Sequence, residues 1–206
     1  MSWQYVHEAF SLYLRVFFLF TPFFILSTYL SITDGVKENL QRRLVGKITT
    51  GIIGVTLVIF FLGSIIMKLF GITVDAFRAG SGVLLLLTAI TLVLGRESNL
   101  KVGDDPEKLM DMAVVPLAVP VTAGPASLGF IMVLGTTSEG VAMKLIAALA
   151  IILASISIGV LLHFAGWIEK RMGHSNLSIC SKVTGLILAA IAVQMVTEGV
   201  KNLWLQ

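Results

Sequence analysis

Long apolar runs separated by short polar stretches set the pattern of this 206-residue chain. A membrane-crossing helix needs about 20 predominantly apolar residues. Six segments meet that length: span 1 over 9–33, span 2 over 45–70, span 3 over 76–95, span 4 over 112–136, span 5 over 141–168 and span 6 over 181–203. Span 2 includes a charge-free run from Ile48 to Met67, whereas span 1 carries Arg15 within it. Two spans also hold helix breakers. Span 1 contains Phe20-Thr21-Pro22-Phe23, and span 4 contains Pro116, Pro120, Gly124 and Pro125. Proline removes a backbone donor and clashes with the preceding turn. The pattern predicts an all-α polytopic membrane protein with spans 1 and 4 interrupted.

Composition agrees. The chain is 56% hydrophobic and 13% charged, with a mean hydropathy of +0.94, against about 25% charged residues in a typical soluble domain. The net charge of +3 does not point to nucleic acid, because the basic residues lie between apolar spans without a long basic run. The single cysteine, Cys180, excludes an intramolecular disulfide and a multi-cysteine metal site. No basic stretch precedes the first apolar run, which carries Glu8 just ahead of it, so that run is expected to stay as a membrane helix.

Charge asymmetry orients the spans. Ten of the fifteen Lys and Arg residues, among them Lys37, Arg42, Arg43, Lys47, Lys170 and Arg171, fall in one set of loops. That set is expected in the cytoplasm, with both termini outside a prokaryotic cytoplasmic membrane. The longest loop, 96–111, contains the turn Gly103-Asp104-Asp105-Pro106 and divides the chain into halves of three spans, 1–95 and 112–206.

The halves match. A shift of 103 places Pro22 on Pro125, Gly63 on Gly166 and Gly82 on Gly185. Three spans per half make the second half enter the membrane in the opposite sense. Inverted repeats place a site at their interface, and broken helices in corresponding positions point to it.

From Val114 to Leu128 the chain reads VVPLAVPVTAGPASL. This resembles the MarC family of bacterial and archaeal membrane proteins, whose pattern is close to PLAIPLLAGPGAI. The stretch Leu69 to Leu86, LFGITVDAFRAGSGVLLL, is similar to the family's turn between spans 2 and 3. The family pattern Asn-Pro-x-Gly-x-x-Pro in span 1 is reduced here to Thr21-Pro22. The resemblance covers essentially the whole chain. It implies kinship with small inverted-repeat exporters of the LysE type, and in some members transport of neutral amino acids such as glycine and alanine.

The candidate site follows from the breaks. Gly124 permits unusual backbone angles, and Pro125 would begin a second half-helix. Amides exposed there would bind a carboxylate, with Pro120, Thr122 and Ser127 flanking the break. The matching break at Thr21 and Pro22 offers a second such end, and Ser27 another hydroxyl. Arg78, at the outer start of span 3, suits a carboxylate bidentately or pairs with Asp75 three residues earlier. Arg15 is placed to pair with Glu198 or to snorkel to the headgroups. His163 reads as a packed or interface histidine, or as a proton relay, and Gln194 as a hydrogen-bonding partner across helices or a substrate contact.

Together these features predict a transporter of a small polar or zwitterionic metabolite, with a neutral amino acid foremost, working by alternating access. A channel and a non-transporting assembly or sensor subunit are the alternatives. The expected partners are the lipid bilayer and a small-molecule solute, with homo-oligomerisation left open. No cofactor is called for. No Asp or Glu lies near mid-span, so proton coupling has no central carboxylate, whereas sodium held by broken-helix carbonyls needs none. No His-Glu-x-x-His motif and no mid-span carboxylate pair argue for an enzyme.

Overall fold

A computed structural model describes residues 2–95 and 122–205. It is all helical there: α1 (Ser2–Leu19), α2 (Pro22–Thr33), α3 (Glu38–Leu69), α4 (Val74–Val93), α5 (Pro125–Thr137), α6 (Gly140–His163) and α7 (Ala165–Trp204). Five stretches of the described residues are long and apolar enough to cross a membrane: Val6–Thr33, Glu38–Leu69, Val74–Val93, Gly140–His163 and Ser175–Trp204. The apolar α5, at 13 residues, is the second part of expected span 4. The first part, with Pro116 and Pro120, lies outside the described residues, as does the 96–111 loop.

α6 buries several small side chains and turns several large ones outward. Leu145, Leu149, Leu153 and Ile156 of α6 are exposed, whereas Ala147, Ala150, Ala154 and Ser155 of the same helix are buried. Lipid supplies no hydrophobic drive for helix association, so helices meet through small residues that allow close approach. Buried hydroxyls return to their own helix: Thr56 donates to Ile52 O (2.6 Å), Ser155 to Ile151 O (2.8 Å) and Thr184 to Cys180 O (2.9 Å). Such back-bonding satisfies the group where no water reaches it. Ser157 spends its proton on Leu153 O, so the Tyr13 hydroxyl, 3.0 Å away, donates to Ser157 Oγ and ties α1 to α6.

The chain between spans 5 and 6 is helical, not a loop. α6 ends at His163, and α7 restarts at Ala165 and reaches Trp204 with one non-helical residue, Gly173 (φ 73°, ψ 156°). Apolar positions explain this: Ala165 and Leu177 are buried, and Ile168 and Met172 pack on the core. They hold the segment against the bundle, while Lys170 and Arg171 face outward.

α4 and α7 form the most extensive helix pair, and they run antiparallel. A Cβ added at Gly82 would lie 2.8 Å from Val196 Cγ2, 2.9 Å from Val196 N and 3.0 Å from Ala192 O. One added at Gly185 would lie 2.9 Å from Val93 Cγ2 and 3.0 Å from Ala89 O. Shifting Gly82, Ala89 and Val93 by 103 gives Gly185, Ala192 and Val196. Each helix therefore offers the other the same contact. Gly54 of α3, by contrast, faces open space.

The first break is sharp. α1 ends at Leu19, α2 begins at Pro22, and Thr21 between them is left-handed (φ 49°, ψ 60°), alone among the described non-glycine residues. Thr21 precedes α2 directly and lies two residues past the end of α1, where a left-handed residue commonly closes a helix. A β-branched residue is strained there. At the second break, Gly124 has φ −71° and ψ 170°, extended backbone open to any residue. The unusual angles expected at Gly124 thus occur at Thr21, its counterpart 103 positions earlier. Asparagine visits the left-handed region more readily than threonine. Thr21→Asn should therefore stabilise the protein by about 0.5–1 kcal/mol, read as a higher unfolding midpoint in detergent. An unchanged midpoint would count against the strain.

Candidate functional site: a charged cavity beside two helix breaks

Both breaks abut the middle of the α4–α7 pair. Leu19, just before the first break, and Ala126, just after the second, share one buried cluster with Leu85, Ala89, Leu188 and Ala192. At the second break Pro125 occupies the first turn of α5, where its missing amide costs nothing. The Leu128 amide donates to Gly124 O (2.9 Å), and Ser127 Oγ donates to the same carbonyl (3.0 Å). The Ser127 hydroxyl, expected to serve a ligand, is thus engaged locally. Thr21, Pro22, Thr122 and Ser127 are buried, and Ser27 is half-buried in α2. Pro120 lies outside the described residues.

The charged residues meet elsewhere, toward the end of the bundle that holds the start of α4 and the end of α7. A cavity of about 160 Å³ opens there, lined by Arg15, Arg78, Gln194, Glu198, Phe130 and five further apolar side chains, with Thr137. At ~30 Å³ per water, it has room for about five waters. A wider depression of about 340 Å³, bearing His7, Glu8, Ser11 and Ser138, shares Leu12, Arg15, Leu134 and Thr137 with it and forms its mouth.

Arg78 is held from two sides. Its Nη1 lies 3.5 Å from Asp75 Oδ1 and 4.0 Å from Glu198 Oε2. The Arg78 and Asp75 side chains are each only 17% exposed, whereas that of Glu198 is 51% exposed. Asn202 Nδ2 donates to Asp75 Oδ1 (3.1 Å), and Gln194 Nε2 donates to Glu198 Oε1 (2.9 Å). Asp75 therefore holds the guanidinium more closely than does Glu198, whose other oxygen accepts from Gln194. The expected Arg78–Asp75 pair forms. The expected Arg15–Glu198 pair does not: both line the cavity, but the guanidinium within reach of Glu198 belongs to Arg78.

The expected site thus splits. Arg78 joins Arg15, Gln194 and Glu198, while the described break residues line none of this cavity. Phe130 links the two, because it lines the cavity and packs on the cluster that contains Ala126. Sequence reasoning missed Asn202 and Thr137. The antiparallel α4–α7 register could have found Asn202, but no signal marks Thr137. His163 is exposed and edge-on to Phe164, not packed. No cluster of metal-ligating side chains occurs among the described residues. A larger groove of about 620 Å³ runs along α1 and α6 beside Phe17, Leu161 and Trp167. Its lining carries no charge, so it does not suit a polar solute.

Known proteins resemble this chain over almost all of its length. A family model for MarC family integral membrane proteins matches residues 6–204. A UPF0056 membrane protein of Methanocaldococcus jannaschii is 32% identical over 98% of each chain. The UPF0056 membrane protein YhcE of Escherichia coli K12 is 25% identical over 95% of this chain and 93% of its own. YvbG of Bacillus subtilis, another of that name, is 24% identical over 93% of each. No solved structure matches.

Proposed function

The chain belongs to the MarC family of integral membrane proteins, and from that premise we propose that it carries a small zwitterionic solute, a neutral amino acid, across the cytoplasmic membrane by alternating access. The observation that carries this reading is the cavity, in which two guanidinium groups and the Glu198 carboxylate line about 160 Å³ with apolar walls between them. Arginine suits a carboxylate, and Glu198 suits an ammonium. Drug-sized ligands occupy pockets of about 300–1,000 Å³, so this cavity favours a much smaller solute.

In this reading the protein has six spans built as two inverted repeats. The reciprocal Gly82 and Gly185 contacts support it. Antiparallel helices that exchange identical contacts are related by a two-fold axis across their length, and for membrane helices that axis lies in the membrane plane. The halves 1–95 and 112–206 then rock about the α4–α7 pair, alternately exposing the region of the breaks. The cavity opens outward, and the Lys- and Arg-rich end, with Lys47 and Arg171, faces the cytoplasm.

The test is uptake of labelled alanine and glycine into liposomes holding the purified protein. Saturable uptake with counterflow is expected of a carrier. Flux without counterflow would turn the reading into a channel, and absence of both would remove the amino acid. Gly124→Val should abolish this uptake while leaving the protein folded, because its backbone accepts a side chain and the added bulk fills the second break. Normal flux would separate that break from transport.

A further inference from the structure

The first break is rich in acceptors and poor in donors. The Phe20 amide donates to Val16 O (3.1 Å) and the Thr21 amide to Phe18 O (2.9 Å), while Phe24 and Ile25 both donate to Thr21 O (3.0 Å each). Pro22 has no amide to give. Among the described residues, the carbonyls of Phe17, Leu19 and Phe20 are thus left without an amide donor, against one unused amide, that of Phe23. Thr21 adds a fourth oxygen. The residue is 4% exposed, and its Oγ1 is enclosed without a hydrogen-bond partner.

These groups sit inside the Val6–Thr33 span, where bulk water does not compensate them. The end of α1 turns a negative dipole end toward the break and the start of α2 a positive one, so the free oxygens decide what binds. An oxygen-rich, donor-poor site selects a cation. Calcium sites draw on carboxylates as well as carbonyls, and the break has none, so its neutral oxygens suit a monovalent ion. At the second break the described residues carry spare amides. Gly124 O serves Leu128, while the amides of Ala126 and Ser127 remain unused among the described residues. A carboxylate suits that end, but not the Thr21 end.

We propose that the Thr21 break binds sodium, coordinated by Thr21 Oγ1 and the freed carbonyls of the last turn of α1. Binding at this break does not depend on any solute. Sodium's role as the coupling ion rests on the carrier reading above.

The test uses the purified full-length chain in detergent, with sodium chloride replacing choline chloride at constant ionic strength. Sodium should raise the thermal unfolding midpoint progressively with its concentration, by about 3–6 °C at ten times its Kd. Potassium should leave the midpoint near its choline value. Thr21→Val, which keeps the shape and removes the oxygen, should weaken sodium affinity at least about tenfold, and Thr21→Ser should retain it. An unchanged sodium response in Thr21→Val overturns the site. So do equal shifts with sodium, potassium and choline in the unaltered protein, a comparison that needs no variant. A sodium-specific shift in protein that moves neither alanine nor glycine would keep the site and remove the carrier.

Discussion

Gly185→Leu should leave little folded protein, and Gly82→Leu should do the same. At Gly82 an added Cβ meets Val196 N at 2.9 Å and Ala192 O at 3.0 Å, and at Gly185 it meets Ala89 O at 3.0 Å. These neighbours are main-chain atoms, so rotamer changes do not relieve the contact. Overpacking usually costs about 1–3 kcal/mol. A branched side chain forced against backbone should reach or exceed the top of that range, a large share of a marginal stability. The check is the monodisperse fraction after extraction and size-exclusion chromatography. Gly54→Leu is the control, because nothing lies within 4 Å of that position. The two seam variants should suffer alike. A severe loss at one and none at the other would break the reciprocity on which the two-fold relation rests.

Arg78→Ala should lower alanine uptake efficiency at least about 100-fold, some 2.8 kcal/mol, without loss of folded protein. The substitution removes the guanidinium held between Asp75 and Glu198 and leaves the Glu198 carboxylate in the cavity without that cation. Arg78→Lys should recover only part of the loss, since an ammonium keeps the charge but not the planar fork. The measurement is initial uptake rate against solute concentration at matched protein density. Full activity in Arg78→Ala would move the solute away from this cavity, and equal loss of folding would make the residue structural.

The helices were legible because membrane spans write themselves as long apolar runs. The break at Pro22 and the helix start at Pro125 were legible because proline dictates both. What hid was local geometry. Glycine at 124 suggested unusual angles, yet the left-handed residue is Thr21, and Gly124 is extended. The segment from Glu169 to Met172 looked like a loop because Glu169, Lys170 and Arg171 are charged. Its helix depends on Ile168 and Met172 packing onto the bundle, a tertiary fact. The pair Arg78–Asp75 followed from spacing on one helix. The ties from Arg78 to Glu198 and from Asp75 to Asn202 needed the register of two helices distant in sequence.

The α4–α7 seam has one more consequence. Its contact is isologous, the kind that two identical subunits make across a dyad. Each half of the chain carries both faces of it: Gly82 with Ala89 and Val93 in one, Gly185 with Ala192 and Val196 in the other. A three-span ancestor with these residues would have needed no partner but its own copy, inserted upside down. On the inverted-repeat reading proposed above, fusion of two such copies would fix one up and one down in a single polypeptide. Each copy would then be free to diverge, with a threonine and a glycine at equivalent places in the two breaks.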